Sequence, residues 1–473
     1  MKLTANDVCT ATGGRLVGGS RDAVFSSVSI DSRAVTPGAL FIPLPGSQVD
    51  GHAYLAEAVR KGAAGFFFSP PAISTPPDGA AGIAIPNPLA ALQDLAAWQR
   101  NRLNALVVGI AGSNGKTTTK ELTAQVCATA KKTFATQGNL NNHIGLPLTL
   151  LRAEEDVEIM ILELGTSGAG ELTRLCQIAR PHMGVITTIA EEHTEMLKDL
   201  TGVIAAETEL IAALPTDGVA IVNGDDEALL AEVRRLARCR VVTFGEKATN
   251  PYRMIDVVVS RQGTHFTLRT PVGMQSIQLR LLGSHFALAA TAAVAVAVEC
   301  GLALDAACAA LSTAKGAPRR MAVINVPEQQ LTILDDCYNA NPASMQQALL
   351  TTQQIRIPGE RVILVLGDML ELGALSQARH RELGEIVATL TPLPDLLITV
   401  GEDAHLIAAQ MVPTGIPVHT CTAADAAATF VQEAVRDYSG PQLVLVKGSR
   451  GVHLEEVIRR LSDLPSSRQA REG

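Results

Sequence analysis

Short, continuously apolar runs alternate with segments of helical pattern through most of this 473-residue chain. In the middle of the chain these runs are Ala105–Ala111, Val157–Leu162, Met183–Ile189 and Gly218–Val222. Towards the C-terminus the same rhythm gives Leu331–Leu334, Arg361–Leu366, Leu396–Val400 and Leu443–Val446. Strands that are buried on both faces and are joined by helices form parallel sheets. The pattern therefore predicts an α/β fold in which helices cover both faces of parallel sheets.

Two breaks divide this pattern into three parts. Ser69–Pro88 is dense in Pro and Gly, so we expect it to hold no long element, and Ser312–Arg320 follows an Ala-rich apolar stretch. The length also suggests about three domains. We therefore expect domains at residues 1–86, 87–315 and 316–473. The Ala-rich stretch, Phe286–Val298, has 13 residues, which is too short to cross a bilayer and predicts a buried helix.

Composition excludes several classes of function. Lys plus Arg number 39 against 47 Asp plus Glu, and no basic run is present, so we expect no nucleic-acid partner. The eight cysteines include no CxxC pair, which favours reduced thiols over disulfides or a zinc site. The N-terminal residues lack the apolar region of a secretory signal. We expect a cytoplasmic protein without a membrane span.

The most specific local motif is GIAGSNGKTTT at residues 109–119. A Gly-rich turn between a buried strand and a helix exposes backbone N–H groups where phosphates bind. In this interpretation Lys116 reaches the β- and γ-phosphates and the Thr117 hydroxyl holds Mg²⁺. The strict form of the motif has Gly where this chain has Ile110.

Two acidic or basic side chains of the middle part are further candidates. Glu163 ends the run VEIMILE and so lies at the carboxyl edge of a strand, where it could complete an Mg²⁺ shell with Thr117. His193 follows the strand Met183–Ile189, but its acidic neighbours Glu191, Glu192 and Glu195 are equally consistent with a solvated loop. From the residues alone, the role of His193 stays open.

The C-terminal part has three loops that follow predicted strands. They are the segments DDCYNANP at residues 335–342, LGDMLELG at 366–373 and KGSRG at 447–451. Their polar groups would face the phosphate loop if the two domains close on one another. Taken singly, each is better explained as a turn chosen for backbone reasons.

Together these motifs resemble the Mur ligases over residues from about 25 to 460. The N-terminal part of the resemblance is carried by DSR at 31–33, PG at 37–38, LF at 40–41, Gly46 and DGH at 50–52. The central part consists of GSNGKTTTKE, GNLNNHIGLPLTLL at 138–151 and ELG at 163–165. The C-terminal part consists of DDCYNANPASM, LGDMLELG and KGSRG. The resemblance implies a small N-terminal UDP-substrate domain, a central P-loop ATPase domain and a C-terminal Rossmann-like domain.

The resemblance also implies a reaction. It is ATP-dependent amide formation between the terminal carboxylate of UDP-N-acetylmuramoyl-tripeptide and the amine of D-alanyl-D-alanine, through an acyl phosphate, in peptidoglycan precursor synthesis. ATP and Mg²⁺ are the implied cofactors, both substrates are small molecules, and we expect a monomer. Two alternatives are a diverged ligase of this family with another amine acceptor and a non-catalytic nucleotide-binding relative.

Further site residues follow from the resemblance alone. Arg320 would approach the γ-phosphate, and His193 would hold a second Mg²⁺. The implied nucleotide-binding residues are Gly112, Ser113, Asn114, Gly115, Lys116, Thr117, Thr118, Asp336 and Asn339. The implied substrate-binding residues are Asp31, Ser32, Arg33, Gly46, Asp50, His52, Asn139, Asn142, Asn341, Asp368 and Lys447.

The chain departs from the family pattern at three places. Phe286 and Ala289 stand where two asparagines usually address adenine, and Ala111 stands where many members have Thr. Glu207 aligns with the lysine that the family carbamylates to bind Mg²⁺. We expect Glu207 either to serve the second Mg²⁺ beside His193 or to be a solvated helix residue.

Overall fold

The computed structural model describes residues 2–46, 49–70, 73 and 77–464. Part of the Pro- and Gly-rich break, residues 71, 72 and 74–76, lies outside the described residues, as do residues 465–473 of the expected C-terminal domain. Over the described residues, three main sheets follow one another along the chain and helices pack on each of them. The predicted α/β class is confirmed.

The N-terminal sheet has the strand order β2-β7-β6-β5-β4, and β1 pairs with β3 beside it. Its strands are β1 (Leu3–Thr4), β2 (Arg15–Leu16), β3 (Val24–Phe25), β4 (Ser27–Ser29), β5 (Ala39–Phe41), β6 (Gly65–Phe68) and β7 (Ala81–Ala84). Its helices are α1 (Ala5–Thr12) and α2 (Leu55–Arg60), and the next helix, α3 (Pro88–Arg102), contacts α1 and leads into the central part. Strand β7 lies inside the predicted break, because the four residues AGIA form a buried strand between the prolines.

The central sheet has the order β16-β15-β14-β13-β12-β11-β8-β10-β9. Its strands are β8 (Leu106–Ala111), β9 (Thr133–Ala135), β10 (Ile159–Glu163), β11 (Met183–Ile186), β12 (Val219–Asn223), β13 (Arg240–Gly245), β14 (Tyr252–Ser260), β15 (Gly263–Thr270) and β16 (Gly273–Leu279). The helices are α4 (Lys116–Cys127), α5 (Gly145–Leu150), α6 (Glu171–Ala179), α7 (Thr194–Leu197), α8 (Leu200–Glu207), α9 (Glu209–Ala212), α10 (Glu227–Leu236), α11 (Ser284–Glu299) and α12 (Leu304–Leu311).

The expectation of a purely parallel central sheet is wrong at one edge. Strands β8 to β14 pair in parallel, whereas β14, β15 and β16 form antiparallel pairs. Along these last strands buried and more exposed residues alternate, as in a sheet with one face on a core and the other in water. Such alternation differs from the continuous apolar runs that predict strands buried on both faces.

The C-terminal sheet has the order β17-β18-β22-β19-β20-β21, and only β17 runs antiparallel to its neighbour. Its strands are β17 (Ala322–Val326), β18 (Leu331–Asp336), β19 (Arg361–Gly367), β20 (Leu396–Val400), β21 (Val418–Cys421) and β22 (Gln442–Lys447). Its helices are α13 (Pro342–Ile355), α14 (Ser376–Thr389), α15 (His405–Ala409), α16 (Ala424–Arg436) and α17 (Glu455–Ser462).

The Ala-rich stretch forms α11, which is buried along most of its length, as predicted. It packs on α4, α12 and the antiparallel strands, and its apolar side chains share one core with residues of α13 and β19. The central and C-terminal parts are therefore joined by apolar packing beside the phosphate loop. No helix among the described residues has the length and apolarity needed to cross a membrane.

Candidate active site

A cavity of about 500 Å³ lies between the central and C-terminal parts. The carboxyl ends of β8, β10 and β11 open onto it from one side, and those of β18 and β22 from the other. Ligands of α/β proteins bind at this edge of the sheet. Helix α11 contributes its first turn to the wall.

The phosphate loop joins β8 to α4, as the motif predicts. Gly112 and Gly115 have φ angles of 117° and 86°, which other residues rarely adopt. A Cβ at Gly112 would lie 2.4 Å from Thr187 Oγ1, so the loop requires glycine there. The Thr187 hydroxyl donates to the Asn114 carbonyl at 2.6 Å. The loop is thus held from the end of β11.

Lys116 is the first residue of α4 and lies in the cavity wall. Its Nζ donates to the carbonyls of Gly112 and Ser113 and lies 3.3 Å from Glu192 Oε1. Burial lowers the pKa of Lys116, but the carboxylates of Glu192, Glu207 and Glu163 outweigh it and raise the pKa overall. The ammonium is therefore charged, and its three protons point to acceptors in the loop and at Glu192.

Glu163 is the last residue of β10, at the predicted strand end, and is 2% exposed. Its Oε1 accepts from Asn141 Nδ2 at 2.8 Å, while Oε2 has no hydrogen-bond partner among the described residues. A buried carboxylate oxygen without a partner is costly unless a cation completes it. This oxygen fits a hard cation such as Mg²⁺.

Glu207 ends α8 and is 1% exposed, so the expectation of a solvated helix residue is wrong. Its Oε2 accepts from the backbone N–H of Gly112 at 2.6 Å. Burial raises the pKa of Glu207 to about 7, although Lys116 opposes this shift. Glu207 thus contacts the phosphate loop itself.

His193 faces the C-terminal part across the cleft. Its Nδ1 lies 2.7 Å from Glu371 Oε2, and this hydrogen bond raises the pKa of His193. Among the described residues, no three His, Cys, Asp or Glu side chains are grouped as in a metal site. A second Mg²⁺ at His193 stays a prediction, whereas the Glu207 carboxylate that was expected to share it is engaged by the Gly112 N–H.

Of the acidic residues beside His193, Glu191 and Glu192 are held in ion pairs, whereas Glu195 is exposed. Arg379 donates from Nε to Glu191 Oε2 at 2.6 Å and from Nη2 to Glu191 Oε1 at 2.7 Å. Thr194 Oγ1 also donates to the Leu372 carbonyl at 3.0 Å. The loop after β11 is therefore attached to the C-terminal part, through partners that lie too far along the chain for a sequence pattern to show.

Arg320 and Tyr338 enter the cleft from the C-terminal part. The Arg320 guanidinium lies 4.2 Å from the centre of the Tyr338 ring, and its Nη2 donates to Thr117 Oγ1 at 2.9 Å. A cation stacked on an aromatic ring keeps its orientation. This brings Arg320 to the phosphate loop, where the sequence expects it.

Asp336 and Lys447 form a buried ion pair at the ends of β18 and β22. Lys447 Nζ lies 2.7 Å from Asp336 Oδ2 and donates to the Asn339 carbonyl at 3.1 Å. All three residues line the cavity. Their predicted contacts with nucleotide and dipeptide stay predictions.

Asn341 and Asp368 both have structural partners. Asn341 caps α13, and its side-chain amide exchanges hydrogen bonds with that of Asn114 at 2.9 and 3.2 Å. Asp368 accepts from the N–H groups of Glu402 and Ala404 at 2.9 and 2.7 Å. Asn341 lines the cavity against the phosphate loop, whereas Asp368 is not among the lining residues. The structure therefore gives no support to a dipeptide contact by Asp368.

The GNLNN segment lies between β9 and α5. Asn139 lines the cavity, but Asn142 Oδ1 accepts from the N–H groups of Ile144 and Gly145, so it shapes the start of α5. It is Asn141 that reaches Glu163. The sequence analysis missed Asn141 because three asparagines within four residues carry no sign of which one points inward.

The wall beneath α11 is mainly apolar. Phe286 and Ala289 line it together with Phe244, Met254 and Leu288. His285, which the sequence analysis did not select, has a buried Nδ1 without a hydrogen-bond partner among the described residues. Burial lowers the pKa of His285 to about 4, so the imidazole is neutral.

The N-terminal candidates lie beside α2, and the residues that line the cleft do not include them. Asp31 pairs with the exposed Arg33 at 2.8 Å, and Ser32 donates to Glu57 of α2 at 3.4 Å. His52 is buried between Asp50, 2.7 Å from its Nδ1, and the N–H of Ser69, which donates to its Nε2. The Gly46 N–H donates to the Val49 carbonyl. Asp31 and Asp50 thus each cap a short helical turn.

Comparison with known proteins covers the three parts separately. Residues 24–100 match the model of the Mur ligase family, catalytic domain, residues 110–297 the Mur ligase middle domain, and residues 319–450 the Mur ligase, glutamate ligase domain.

Two curated relatives match along nearly their whole length. Both are named UDP-N-acetylmuramoyl-tripeptide–D-alanyl-D-alanine ligase. The Bacillus subtilis protein is 35% identical over 99% of this chain and 100% of its own. The Escherichia coli protein is 35% identical over 98% of this chain and 99% of its own.

Solved structures agree in fold. A crystal structure of MurF from Acinetobacter baumannii has a TM-score of 0.88 at 29% identity and covers 98% of this chain and 99% of its own. MurF ligase from Thermotoga maritima in complex with ADP has a TM-score of 0.80 at 25% identity, over 92% of this chain and 97% of its own.

Proposed function

The chain belongs to the Mur ligase family, and from that premise we propose that it joins D-alanyl-D-alanine to UDP-N-acetylmuramoyl-tripeptide at the expense of ATP. The observation that carries the proposal is the meeting of two cations from different domains at one phosphate loop. Lys116 lies on the central domain, and Arg320 of the C-terminal domain contacts Thr117. Such a pair can neutralise the charge of a phosphoryl group in transfer.

The chemical problem is that a carboxylate is a poor acylating agent. A carboxylate oxygen of the tripeptide attacks the γ-phosphorus, the bond from this phosphorus to the bridging oxygen breaks, and ADP leaves. The acyl phosphate that forms has a good leaving group. The dipeptide amine then attacks the carbonyl carbon, loses a proton, and expels inorganic phosphate as the amide forms.

Different residues of the cleft are proposed for the phosphates, the nucleotide and the dipeptide. The backbone N–H groups from Asn114 to Thr118 would cradle the phosphates at the start of α4, whereas the Ser113 N–H donates to the Thr188 carbonyl. Lys116 and Arg320 would stabilise the transferred group. Asp336 and Asn339 are proposed for the nucleotide side, while Asn341 and Lys447 are proposed to face the dipeptide.

Thr117 and Glu163 are the residues that would hold Mg²⁺. The fit rests on the buried Glu163 Oε2, which has no partner among the described residues. When bound, Mg²⁺ offsets the negative charge of the phosphates. Arg320 now donates to the Thr117 hydroxyl, and this hydrogen bond would have to break when the hydroxyl binds Mg²⁺.

The UDP end of the substrate is proposed to bind the N-terminal part, at the turns that contain Asp31, Arg33 and His52. The domain limits 1–86, 87–315 and 316–473 are proposals in the same sense. The monomeric state, the cytoplasmic location and the absence of a nucleic-acid partner stay predictions.

The direct test is phosphate release from ATP. The proposed ligase should release phosphate only when UDP-N-acetylmuramoyl-tripeptide and D-alanyl-D-alanine are both present. Lys116→Ala should abolish release in a folded protein, whereas Lys131→Ala should not, because Lys131 pairs with Glu158 on the surface. Release with the tripeptide and a different amine would favour a ligase with another acceptor. Nucleotide binding without release under any condition would favour the non-catalytic alternative.

A further inference from the structure

Lys120 is a fully buried lysine that the proposed chemistry does not use. It lies on α4, one turn after Lys116, and is 0% exposed. Its Nζ donates to Glu121 Oε1 at 2.6 Å, to the Thr136 carbonyl at 2.8 Å and to the Gly138 carbonyl at 3.4 Å. An ammonium group has three protons, and here each has an acceptor. Lysine is almost never fully buried unless its charge is paired. Here the charge is paired with Glu121 and with two carbonyls of the segment that follows β9, so Lys120 fixes the position of that segment.

The segment held by Lys120 is residues 136–141, between β9 and α5. Thr136 is buried, and its Oγ1 accepts from the Glu163 N–H at 3.0 Å. Asn141 donates from Nδ2 to Glu163 Oε1 at 2.8 Å, and its carbonyl accepts from the Gly165 N–H at 2.9 Å. The segment therefore touches Glu163 twice, once at the backbone and once at the carboxylate.

Asn141 itself has little freedom to move. A Cβ on Gly165 would lie 3.0 Å from the Asn141 side chain, so the amide packs directly against the backbone that follows β10. The amide contact fixes one carboxylate oxygen of Glu163 and thereby directs the other, Oε2, which has no partner among the described residues. Hydrogen bonds of this kind orient metal ligands in proteins.

We propose that Lys120 and Asn141 are positioning residues for Glu163: Lys120 anchors the 136–141 segment, and Asn141 turns the carboxylate so that its free oxygen meets the cation that accompanies ATP. The inference rests on the proposed function of Glu163. In this inference, two residues outside the phosphate loop set the affinity of the Glu163 site for Mg²⁺.

The test compares nucleotide affinity with and without Mg²⁺. Binding of the non-hydrolysable analogue β,γ-imido-ATP is measured by calorimetry in Mg²⁺ and in EDTA, and the ratio of the two affinities is the Mg²⁺ gain. Asn141→Ala should lower this gain by about tenfold, the lower end of the usual effect of residues that orient metal ligands. Its affinity in EDTA should stay within about twofold of wild type, since the phosphate loop is intact. Lys120→Met should act in the same direction.

Asn142→Ala is the matched control. Asn142 directly follows the 136–141 segment, but its Oδ1 accepts from the N–H groups of Ile144 and Gly145 at the start of α5. Its loss should lower the melting temperature without changing the Mg²⁺ gain. Melting temperatures of all variants separate folding from affinity, and Asn141→Ala carries the test if Lys120→Met does not fold.

The outcomes separate the inference from its premise. If Glu163→Gln loses the Mg²⁺ gain while Asn141→Ala keeps it, the positioning role is wrong and the proposed function stands. If Glu163→Gln also keeps the gain, Glu163 does not serve the metal, and the inference fails together with that part of the proposed function. If Asn142→Ala lowers the gain as much as Asn141→Ala, any change in the stretch between β9 and α5 has this effect, and the specific role of Asn141 is refuted.

Discussion

Replacing Glu207 by Ala should weaken nucleotide binding at the phosphate loop and leave the Mg²⁺ requirement unchanged. The carboxylate accepts from the Gly112 N–H at 2.6 Å in a place that is 1% exposed. In an assay about one pH unit above the Glu207 pKa of about 7, the carboxylate is mainly ionised. A hydrogen bond to a charged group contributes about 1.5–3 kcal/mol, and Ala leaves the Gly112 N–H without this acceptor. If the loss falls on the loop, nucleotide affinity should drop roughly tenfold to a hundredfold, since each 1.4 kcal/mol is a factor of ten.

Glu207→Gln separates loop support from metal binding. Its amide oxygen can still accept from Gly112, and a neutral hydrogen bond is weaker than a charged one by about 1 kcal/mol. We therefore expect Glu207→Gln to lose only about fivefold in affinity for β,γ-imido-ATP. Neither variant should need more Mg²⁺ for half-maximal turnover than wild type does.

Glu209→Ala is the matched control for Glu207→Ala. Glu209 also accepts from backbone N–H groups, those of Gly170 and Thr173 at 2.6 and 2.8 Å, but it lies outside the cavity lining. It should lose stability in urea unfolding and keep wild-type nucleotide affinity. The reasoning is refuted if Glu207→Ala binds nucleotide as wild type does. It is also refuted if Glu207→Gln is as poor as Glu207→Ala and both raise the Mg²⁺ requirement, because that result assigns Glu207 to the metal.

Two further predictions concern the domain contact and the base. Arg379→Met removes the double hydrogen bond to Glu191, a half-buried contact of about 1–2 kcal/mol, so kcat/KM should fall about tenfold. The control Arg381→Met loses an exposed contact to Gln377 and should stay near wild type. Equal effects of the two variants on kcat/KM would contradict the prediction. The preference for ATP over GTP, measured as the ratio of their kcat/KM values, should be weaker than in a relative that has asparagine at the positions of Phe286 and Ala289. These two residues offer no side-chain amide to the base. A ratio as large as that relative's would show that another group recognises the base.

Features that depend on neighbouring residues could be predicted from the sequence. The phosphate loop, the start of α4 at Lys116 and the strand end at Glu163 follow from short segments whose backbone demands are local. The burial of α11 follows from a run of apolar residues. These elements were enough to place the cleft at the carboxyl edge of the central sheet.

Features that depend on distant partners could not be predicted. Glu207 lies 95 positions from Gly112, and Arg379 lies 188 positions from Glu191. Without the fold, an acidic residue in such a segment is indistinguishable from a solvated one. The antiparallel strands β14 to β16 were not predicted for a different reason: their buried residues alternate with more exposed ones, which a pattern of fully buried strands does not include.

The proposed reaction makes one claim that a single isotope measurement tests directly. The carboxylate oxygen of the tripeptide that attacks the γ-phosphorus stays on that phosphorus when the amine expels phosphate. With ¹⁸O in both oxygens of the terminal carboxylate, each released phosphate should carry one ¹⁸O, as read by mass spectrometry after a single turnover in unlabelled water. Unlabelled phosphate, released while the amide forms, would contradict activation of the carboxylate as an acyl phosphate in this cleft.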